Sequence, residues 1–470
     1  MGARSTKGGS ARLSPRELEV ARMVAEGLTN REIGARLFIS ERTVDGHLEH
    51  IREKLGVNTR AQITAWVIRN EAIEIAAPAV PAAPVAVTRR RWTFTHPRAW
   101  LGGALVLAVL AAGVGVLRLT APPPPSIQTV VGSDCLKPRY PGGCYEAGEQ
   151  KALEAKLSRP TSVAVDSKGV IYFADYDNGR IRKVAGGFMS TIAGGGTKEL
   201  VDGSYGLSVS SDSLGYASTV AVDSHDRLFV LTSRDDILEV WRIDADGFLH
   251  HFVTLPGPSR EAVGFQAPNL PVGGMAITRD GVFYIADRAG NRVMRYDGGV
   301  PSLYAGSGDS IGEGGAATSA QLNWPIGLDL DRQENLYIAD TGNHRVRRVD
   351  HGTGIITTVA GGQSEFEGDS GDESLATHAR LSFPIGIVVA PDGTVVISDH
   401  GNQRLREITP DHVIHALAGT GRWGFAGDGM PALQAEFDGP EGLALDARGN
   451  LFIADTENQR IREIPGLFPA

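Results

Sequence analysis

One segment recurs along the C-terminal two-thirds of the chain and constrains its fold more than any other feature. In each copy an apolar run ends in Asp, preceded by Ala in four copies and by Ser in one. A polar turn follows, and then a run that mixes basic and apolar residues. The copies are "ADYDNGRIRKV" from Ala174, "ADRAGNRVMRY" from Ala286, "ADTGNHRVRRV" from Ala339, "SDHGNQRLREI" from Ser398 and "ADTENQRIREI" from Ala454. Their aspartates are separated by 112, 53, 59 and 56 residues, and the first interval is two periods long. The spacing predicts a sixth, degenerate copy over 219–243 and a ring of propeller blades.

Each unit contains four strand-like runs, for example "IGLDLD", "NLYIAD", "HRVRRV" and "IITTVAG". Six inner runs are present, but only five are followed by an outer run in their own unit. The sixth unit, which closes with "IREIPGLFPA", has none. The isolated run "IQTVVG" over 127–132 looks like an outer run. We predict that it completes the sixth blade, so that residues 127–466 form a closed all-β propeller without exposed sheet edges.

The N-terminal region has helix signals instead. Ser14 to Glu17 and Thr29 to Glu32 are two capping boxes, and Val44, Leu48 and Ile51 begin an apolar stripe at helical spacing. Only "FIS" separates the second helix from the third, which is helix-turn-helix spacing. The sequence therefore predicts a disordered N-terminus over 1–11 and an all-α domain over 12–70.

The helical domain resembles the LuxR-type family of helix-turn-helix regulators, through "GLTNREIGARL", "ISERTV" and "KLGV". The resemblance implies that helix 41–55 enters the major groove of double-stranded DNA, and that the domain acts as a dimer. Basic side chains there suit phosphates, whereas acidic side chains can accept from cytosine N4 but repel the DNA backbone. The candidate DNA-binding residues are Arg42, Thr43, Val44, Asp45, His47, Glu49, Arg52 and Lys54. A bundle used for protein contacts alone is the alternative.

An apolar segment separates the two regions. Ala99 to Leu117 contains no charged residue, and a helix of that length spans roughly 28 Å, close to the thickness of the bilayer core. We predict a single transmembrane helix over 99–119, between a Pro/Ala-rich linker over 71–98 and a Pro linker over 120–126. The alternative is a buried core helix. The N-terminal flank of the segment carries Arg89, Arg90, Arg91 and Arg98 against Arg118 on the other side, which places the N-terminus in the cytoplasm.

The propeller units resemble NHL repeats, most fully over 425–464 in "FAGDGMPALQAEFDGPEGLALDARGNLFIADTENQRIREI". The resemblance implies the fold and leaves the activity open, because such propellers bind proteins, nucleic acids or ligands and occasionally act as lyases. The recurring carboxylates invite a metal or catalytic role, but an aspartate entering a D-x-x-N turn typically accepts local backbone bonds. A structural role is therefore expected for Asp175, Asp287, Asp340, Asp399 and Asp455.

The sequence offers weaker evidence for two other sets of possible metal ligands. The acidic loop "EFEGDSGDES" over 365–374 lacks the full calcium-loop pattern, and His344, His400 and His415 lack metal-site spacing. We expect no metal and no cofactor. Cys135 and Cys144, the two cysteines, lie beyond the apolar segment, where a disulfide is favoured and free thiols are the alternative.

These features together predict a multidomain, non-enzymatic transcription regulator, single-pass in the inner membrane. Residues 1–98 carry a net charge of +6 (16 basic against 10 acidic residues), and the chain beyond Arg118 carries −16 (29 against 45), so the two sides should have different partners. An extracytoplasmic ligand or protein would be sensed by the propeller, and homodimers would form through Ala104, Ala108 and Ala112. The alternatives are a cell-envelope binding module with a vestigial DNA-binding domain, and a propeller-borne lyase.

Overall fold

A computed structural model describes residues 124–133, 148–214, 217–234, 237–256, 273–362 and 367–468, together with ten helical positions between 20 and 63. The chain divides into two compact units, Met1–Val114 and Gly115–Ala470. The predicted membrane segment 99–119, its alanine stripe (Ala104, Ala108 and Ala112) and the cysteine pair (Cys135 and Cys144) lie outside the described residues. Among the residues that are described, no helix combines the length and apolar character needed to cross a bilayer.

The second unit is a six-bladed β-propeller, and its first strand, β1, spans Gln128–Val131. Blade one contains β2 (Gln150–Lys151), β3 (Pro160–Val165), β4 (Ile171–Asp175), β5 (Arg180–Ala185) and β6 (Phe188–Ala193). Blade two contains β7 (Ser204–Tyr205), β8 (Thr219–Val222), β9 (Leu228–Arg234), β10 (Ile237–Ile243) and β11 (Phe248–Thr254). Blade three contains β12 (Met275–Ile277), β13 (Phe283–Asp287), β14 (Arg292–Tyr296) and β15 (Ser302–Gly306).

The remaining blades follow the same antiparallel order. Blade four contains β16 (Pro325–Leu330), β17 (Leu336–Asp340), β18 (Arg345–Val349) and β19 (Ile356–Ala360). Blade five contains β20 (Ser374–Leu375), β21 (Pro384–Val389), β22 (Val395–Asp399), β23 (Arg404–Ile408) and β24 (Val413–Ala418). Blade six contains β25 (Pro440–Leu445), β26 (Leu451–Asp455) and β27 (Arg460–Ile464), with β1 as its outer strand. The inner strands pack side by side around the ring, and β25 meets β3.

Short helical turns occupy the loops between strands. In the described part of the chain the 3-10 helices are Ala152–Glu154, Tyr176–Asn178, Gly206–Ser208, Ala317–Ser319, Thr341–Asn343, Ala376–His378, His400–Asn402 and Ala432–Gln434, and one α-helical turn spans Ser211–Leu214. Several of these turns follow the recurring Asp directly. They return the chain from the second strand of a blade to the third.

Strand β1 fills the outer position that the repeat pattern leaves open in the last unit. It pairs antiparallel with β27, placing Gln128 opposite Glu463 and Thr129 opposite Arg462. Ile127, just before the strand, and Val131, its last residue, are both fully buried. A strand from the start of the propeller thus completes its last blade, and the edge of β27 is paired.

The hydrophobic core of the propeller lies between blades. Each of six apolar clusters joins two neighbouring blades, so no blade has a complete core of its own. Ile127 belongs to the cluster between blades five and six, and Val131 to the one between blades six and one. The ring therefore depends on every neighbour being present.

Glycine allows the inner strands to approach closely. A Cβ on Gly442 would lie 2.7 Å from the Cα of Ser162 in the next blade, and one on Gly386 would collide with the carbonyl oxygen of Glu441. The P-x-G sequence at the start of β21 and β25 is explained by this contact between backbones.

Candidate functional site

The described part of the helical domain forms a small apolar core. Its buried members are Val20, Ala21, Met23, Val24, Ile33, Val44, Leu48, Ile51 and Ile63. The prediction that Val44 contacts DNA is wrong, because its side chain has no exposed surface. Spacing of four and then three residues directs Val44, Leu48 and Ile51 inward together.

Lys54 is helical and exposed, as a contact to a DNA phosphate requires. The other predicted DNA-binding residues lie outside the described residues: Arg42, Thr43, Asp45, His47, Glu49 and Arg52. Their assignment stays a prediction from the sequence.

The recurring aspartates sit at the end of the second strand of their blades and are buried. Asp455 is representative. Its Oδ1 accepts from the backbone N–H of Asp438 at 2.9 Å, and its Oδ2 accepts from Asn458 at 2.9 Å and from Arg462 at 3.4 Å. Burial raises the pKa of Asp455 to about 7, against the opposing effect of these donors.

The same pattern recurs in three other blades. Asp175, Asp340 and Asp399 accept backbone bonds from Ser158, Asn323 and Ser382 respectively, at 2.7 to 2.8 Å. Asp287 differs, since it accepts from the N–H of Gly290 and from Arg292. Because these carboxylates are saturated by the protein's own donors, their geometry favours the structural role. Within the described ranges no group of His, Cys, Asp or Glu is arranged to hold a metal ion.

The arginine seven residues after the Asp connects that network to the preceding loop. Arg462 is fully buried, and its Nη2 donates to Asp428 at 2.9 Å. In blade five, Arg406 donates to Asp372, while Arg404 pairs with Asp369 at 3.3 Å. Two carboxylates of the acidic loop 365–374 are therefore engaged by guanidinium groups rather than grouped around a cation.

Neighbouring blades are also joined by side chains in the turns that follow the recurring Asp. The residue four positions after the Asp has positive φ, and its side chain accepts from the backbone N–H before the next blade's inner strand. The pairs are Asn291 with Trp324, His344 with Phe383, Gln403 with Gly439 and Gln459 with Arg159. His344 therefore has a structural partner, and His415 pairs at 3.0 Å with Glu373 on the rim of its own blade.

A polar cluster, formed at the start of two inner strands and in the turns that follow the second strands of the same blades, departs from this repeating order. We define the channel cluster as Arg159, Asp177, Glu441 and Glu457. Arg159 Nη1 lies 3.5 Å from Asp177 Oδ1, and its Nε lies 3.4 Å from Glu457 Oε1. The cluster joins blade one to blade six at the point where the ring closes.

Glu441 is the most unusual member of the channel cluster. Only 2% of its surface is exposed, and among the described residues no donor reaches its Oε2. Burial raises the pKa of Glu441 well above its ordinary value, opposed by Arg159 and reinforced by Glu457 and Asp177. Burial lowers the pKa of Arg159, but the three carboxylates raise it by more.

Sequence reasoning missed this cluster, since it sought matching His or Glu residues across the blades. Aligning the repeats at the P-x-G position reveals Glu441 as the single charged residue there. The equivalent residues are Thr161, Ser218, Gly273, Ile326 and Ile385. The sequence signal for this cluster is therefore a residue that differs from its equivalents at one repeat position, and not a residue that recurs.

The two units match different families of known proteins. Residues 11–67 match the family of bacterial regulatory proteins, luxR family, and residues 322–349, 381–408 and 437–464 match the NHL repeat. The first unit thus carries a LuxR-type helix-turn-helix domain. The second is a propeller with NHL repeats, as the sequence predicts.

Individual relatives match parts of the chain. A Mycobacterium bovis protein named as a putative HTH-type transcriptional regulator is 51% identical over 51 residues, covering 11% of this chain and 6% of its own length. The Arabidopsis thaliana protein SUPPRESSOR OF QUENCHING 1, chloroplastic, is 30% identical over 192 residues, covering 38% and 18% respectively. The chain therefore spans less than a fifth of the length of these curated relatives.

A solved structure extends the likeness in fold. A Bacteroides thetaiotaomicron protein of unknown function superposes with a TM-score of 0.53 at 17% identity, covering 72% of this chain and 75% of that chain. At this identity the likeness concerns the fold alone.

Proposed function

We propose that the protein is a one-component, membrane-bound transcription regulator whose propeller senses an extracytoplasmic ligand or protein. The observation that carries the proposal is the presence of a LuxR-type domain and a closed six-bladed propeller in one chain. The propeller's buried carboxylates are mostly saturated by structural donors, which favours binding over catalysis. We therefore propose that the chain is not an enzyme.

DNA binding is tested by measuring the affinity of the full chain for its promoter DNA in a gel-shift titration. We expect Lys54→Ala to weaken binding about threefold to tenfold and to reduce the salt slope by about 1, because one phosphate contact is lost. Lys198→Ala, which replaces an exposed lysine on the propeller, is the matched control. Equal salt slopes for Lys54→Ala and wild type would rule out a phosphate contact by Lys54.

The predicted membrane topology is supported by the uncharged run 99–117 and by the arginines on its N-terminal side. We expect a membrane-impermeant maleimide to label Cys135 and Cys144 in spheroplasts after mild reduction. A Ser10→Cys variant lacking both native cysteines should be labelled only after lysis. Labelling of the Ser10→Cys variant before lysis, or of the native pair only after lysis, would contradict the topology.

We propose that the signal passes between the units through dimerisation. Small residues at Ala104, Ala108 and Ala112 would permit close helix packing, and a ligand that pairs propellers would raise the local concentration of two DNA-binding domains. This homodimer is part of the proposal. It predicts that DNA affinity depends on the state of the propeller.

A further inference from the structure

The channel cluster contains more acidic than basic groups. Three carboxylates, from Asp177, Glu441 and Glu457, surround the guanidinium of Arg159. Arg288, on blade three, is a further cation and interacts electrostatically with Tyr176. Counting it, one negative charge remains in excess when every group is ionised. Because burial raises the pKa of Glu441, the excess negative charge develops when a cation beside its carboxyl stabilises the ionised form, so the cluster favours a cation over an anion or a neutral molecule.

The fold does not require a carboxylate at position 441. The five equivalent positions in the other blades hold hydroxyl, glycine or isoleucine residues, and the ring closes around all of them. Burying a carboxyl oxygen without a donor costs free energy that an apolar residue would not cost. Glu441 Oε2, almost fully buried and without a donor in the described part of the chain, therefore points to a binding role rather than a packing role.

Two other carboxylates of the cluster are less buried than Glu441. The side chain of Asp177 is 29% exposed and that of Glu457 is 19% exposed, on either side of the nearly buried Arg159. The ring of Tyr176 lies 5.4 Å from the Arg159 guanidinium and adds an aromatic surface suited to a cation. His400, in the adjacent blade, faces the carbonyl oxygen of Pro440 at 3.3 Å, and burial lowers its pKa, so it adds no positive charge.

We propose that the channel cluster binds a small molecule carrying a protonated primary amine, which donates a hydrogen bond to Glu441 Oε2. Asp177 and Glu457 attract the ammonium group. Glu441 accepts its hydrogen bond once the ammonium group has lost its hydration water. The inference rests on the proposed sensing function and gives the chemical class of the sensed ligand.

The test is isothermal titration of the full chain with three four-carbon probes that differ in charge: putrescine, 1,4-butanediol and succinate. Wild type should bind putrescine about tenfold more tightly than butanediol, and should not bind succinate. Glu441→Gln, which keeps the side-chain volume, should weaken putrescine binding about tenfold. Glu199→Gln removes the same charge from an exposed rim position and should leave binding unchanged.

A second variant keeps the test decisive if Glu441→Gln disturbs the ring. Glu457→Gln, at a carboxylate more exposed than Glu441, should reduce putrescine affinity by a smaller factor while the thermal unfolding curve stays that of wild type. Equal binding of putrescine and butanediol, or equal putrescine binding by wild type and both variants, would overturn the proposal. Amine binding that leaves promoter affinity unchanged would instead refute the sensing function and leave the site intact.

Discussion

A chain that begins at residue 134, and so lacks β1, should lose about 5 kcal/mol or more of unfolding free energy relative to a chain that begins at residue 124. Ile127 and Val131 are fully buried in two different interblade clusters, and removal of a buried aliphatic side chain typically costs about 2–5 kcal/mol. That loss approaches the whole stability of an ordinary domain. Urea unfolding followed by circular dichroism measures it.

Both truncations lack the helix-turn-helix domain and the segment 99–119, so their comparison isolates the residues around β1. The shorter chain should also self-associate in size-exclusion chromatography, because β27 then presents an unpaired edge. Matching urea midpoints and elution volumes for the two chains would show that β1 does not hold the ring closed.

Asp455→Ala should lower the unfolding free energy by about 3 kcal/mol, because it removes one of the two carboxylates that pair with the buried guanidinium of Arg462 and leaves only Asp428. Arg462 is fully buried, so water cannot replace the lost interaction, and the Asp438 N–H and the Asn458 amide lose their acceptor as well. Thermal unfolding of the full chain at several scan rates, together with urea unfolding, measures the change.

The control for this substitution is Asp246→Ala, in an exposed turn between β10 and β11. A surface change of this kind should stay within about 0.5 kcal/mol. If Asp455→Ala were no more destabilising than Asp246→Ala, the recurring aspartates would not be structural, and a role in binding would have to be reconsidered.

Much of the propeller is predictable because its information is periodic. The recurring Asp marks the end of the second strand in each regular blade, and the doubled interval locates the degenerate blade over 219–243. The placement of "IQTVVG" follows from counting strands, since a ring has no spare edge. These inferences need only local patterns and the requirement that backbone groups be paired.

The contacts that loop and turn residues make, within and between blades, are harder to predict. The donor that saturates Asp455 comes from Asp438, before the inner strand of the same blade, and the acceptor for Phe383 N–H comes from His344 in the preceding blade. A repeat alignment shows that such residues recur without showing what they touch. Glu441 is difficult to find for a different reason. It occurs at one repeat position only, and a search for recurring residues passes over it.

The helical domain illustrates a different limit. The stripe that identifies its third helix also fixes which residues turn inward, so Val44 could not be both core and DNA contact. Family resemblance locates the helix, whereas burial decides which of its side chains are available to bases.

The central claim, that this chain reads DNA under the control of its propeller, is tested most directly by promoter occupancy in living cells. The full chain would be cross-linked to DNA and the bound fragments sequenced, for wild type, Lys54→Ala and Glu441→Gln at equal protein levels. We predict discrete promoter peaks for wild type, weaker peaks at the same sites for Lys54→Ala, and altered occupancy for Glu441→Gln. Two results would contradict this claim: wild-type fragments that form no discrete peaks, or peaks that are identical for all three proteins.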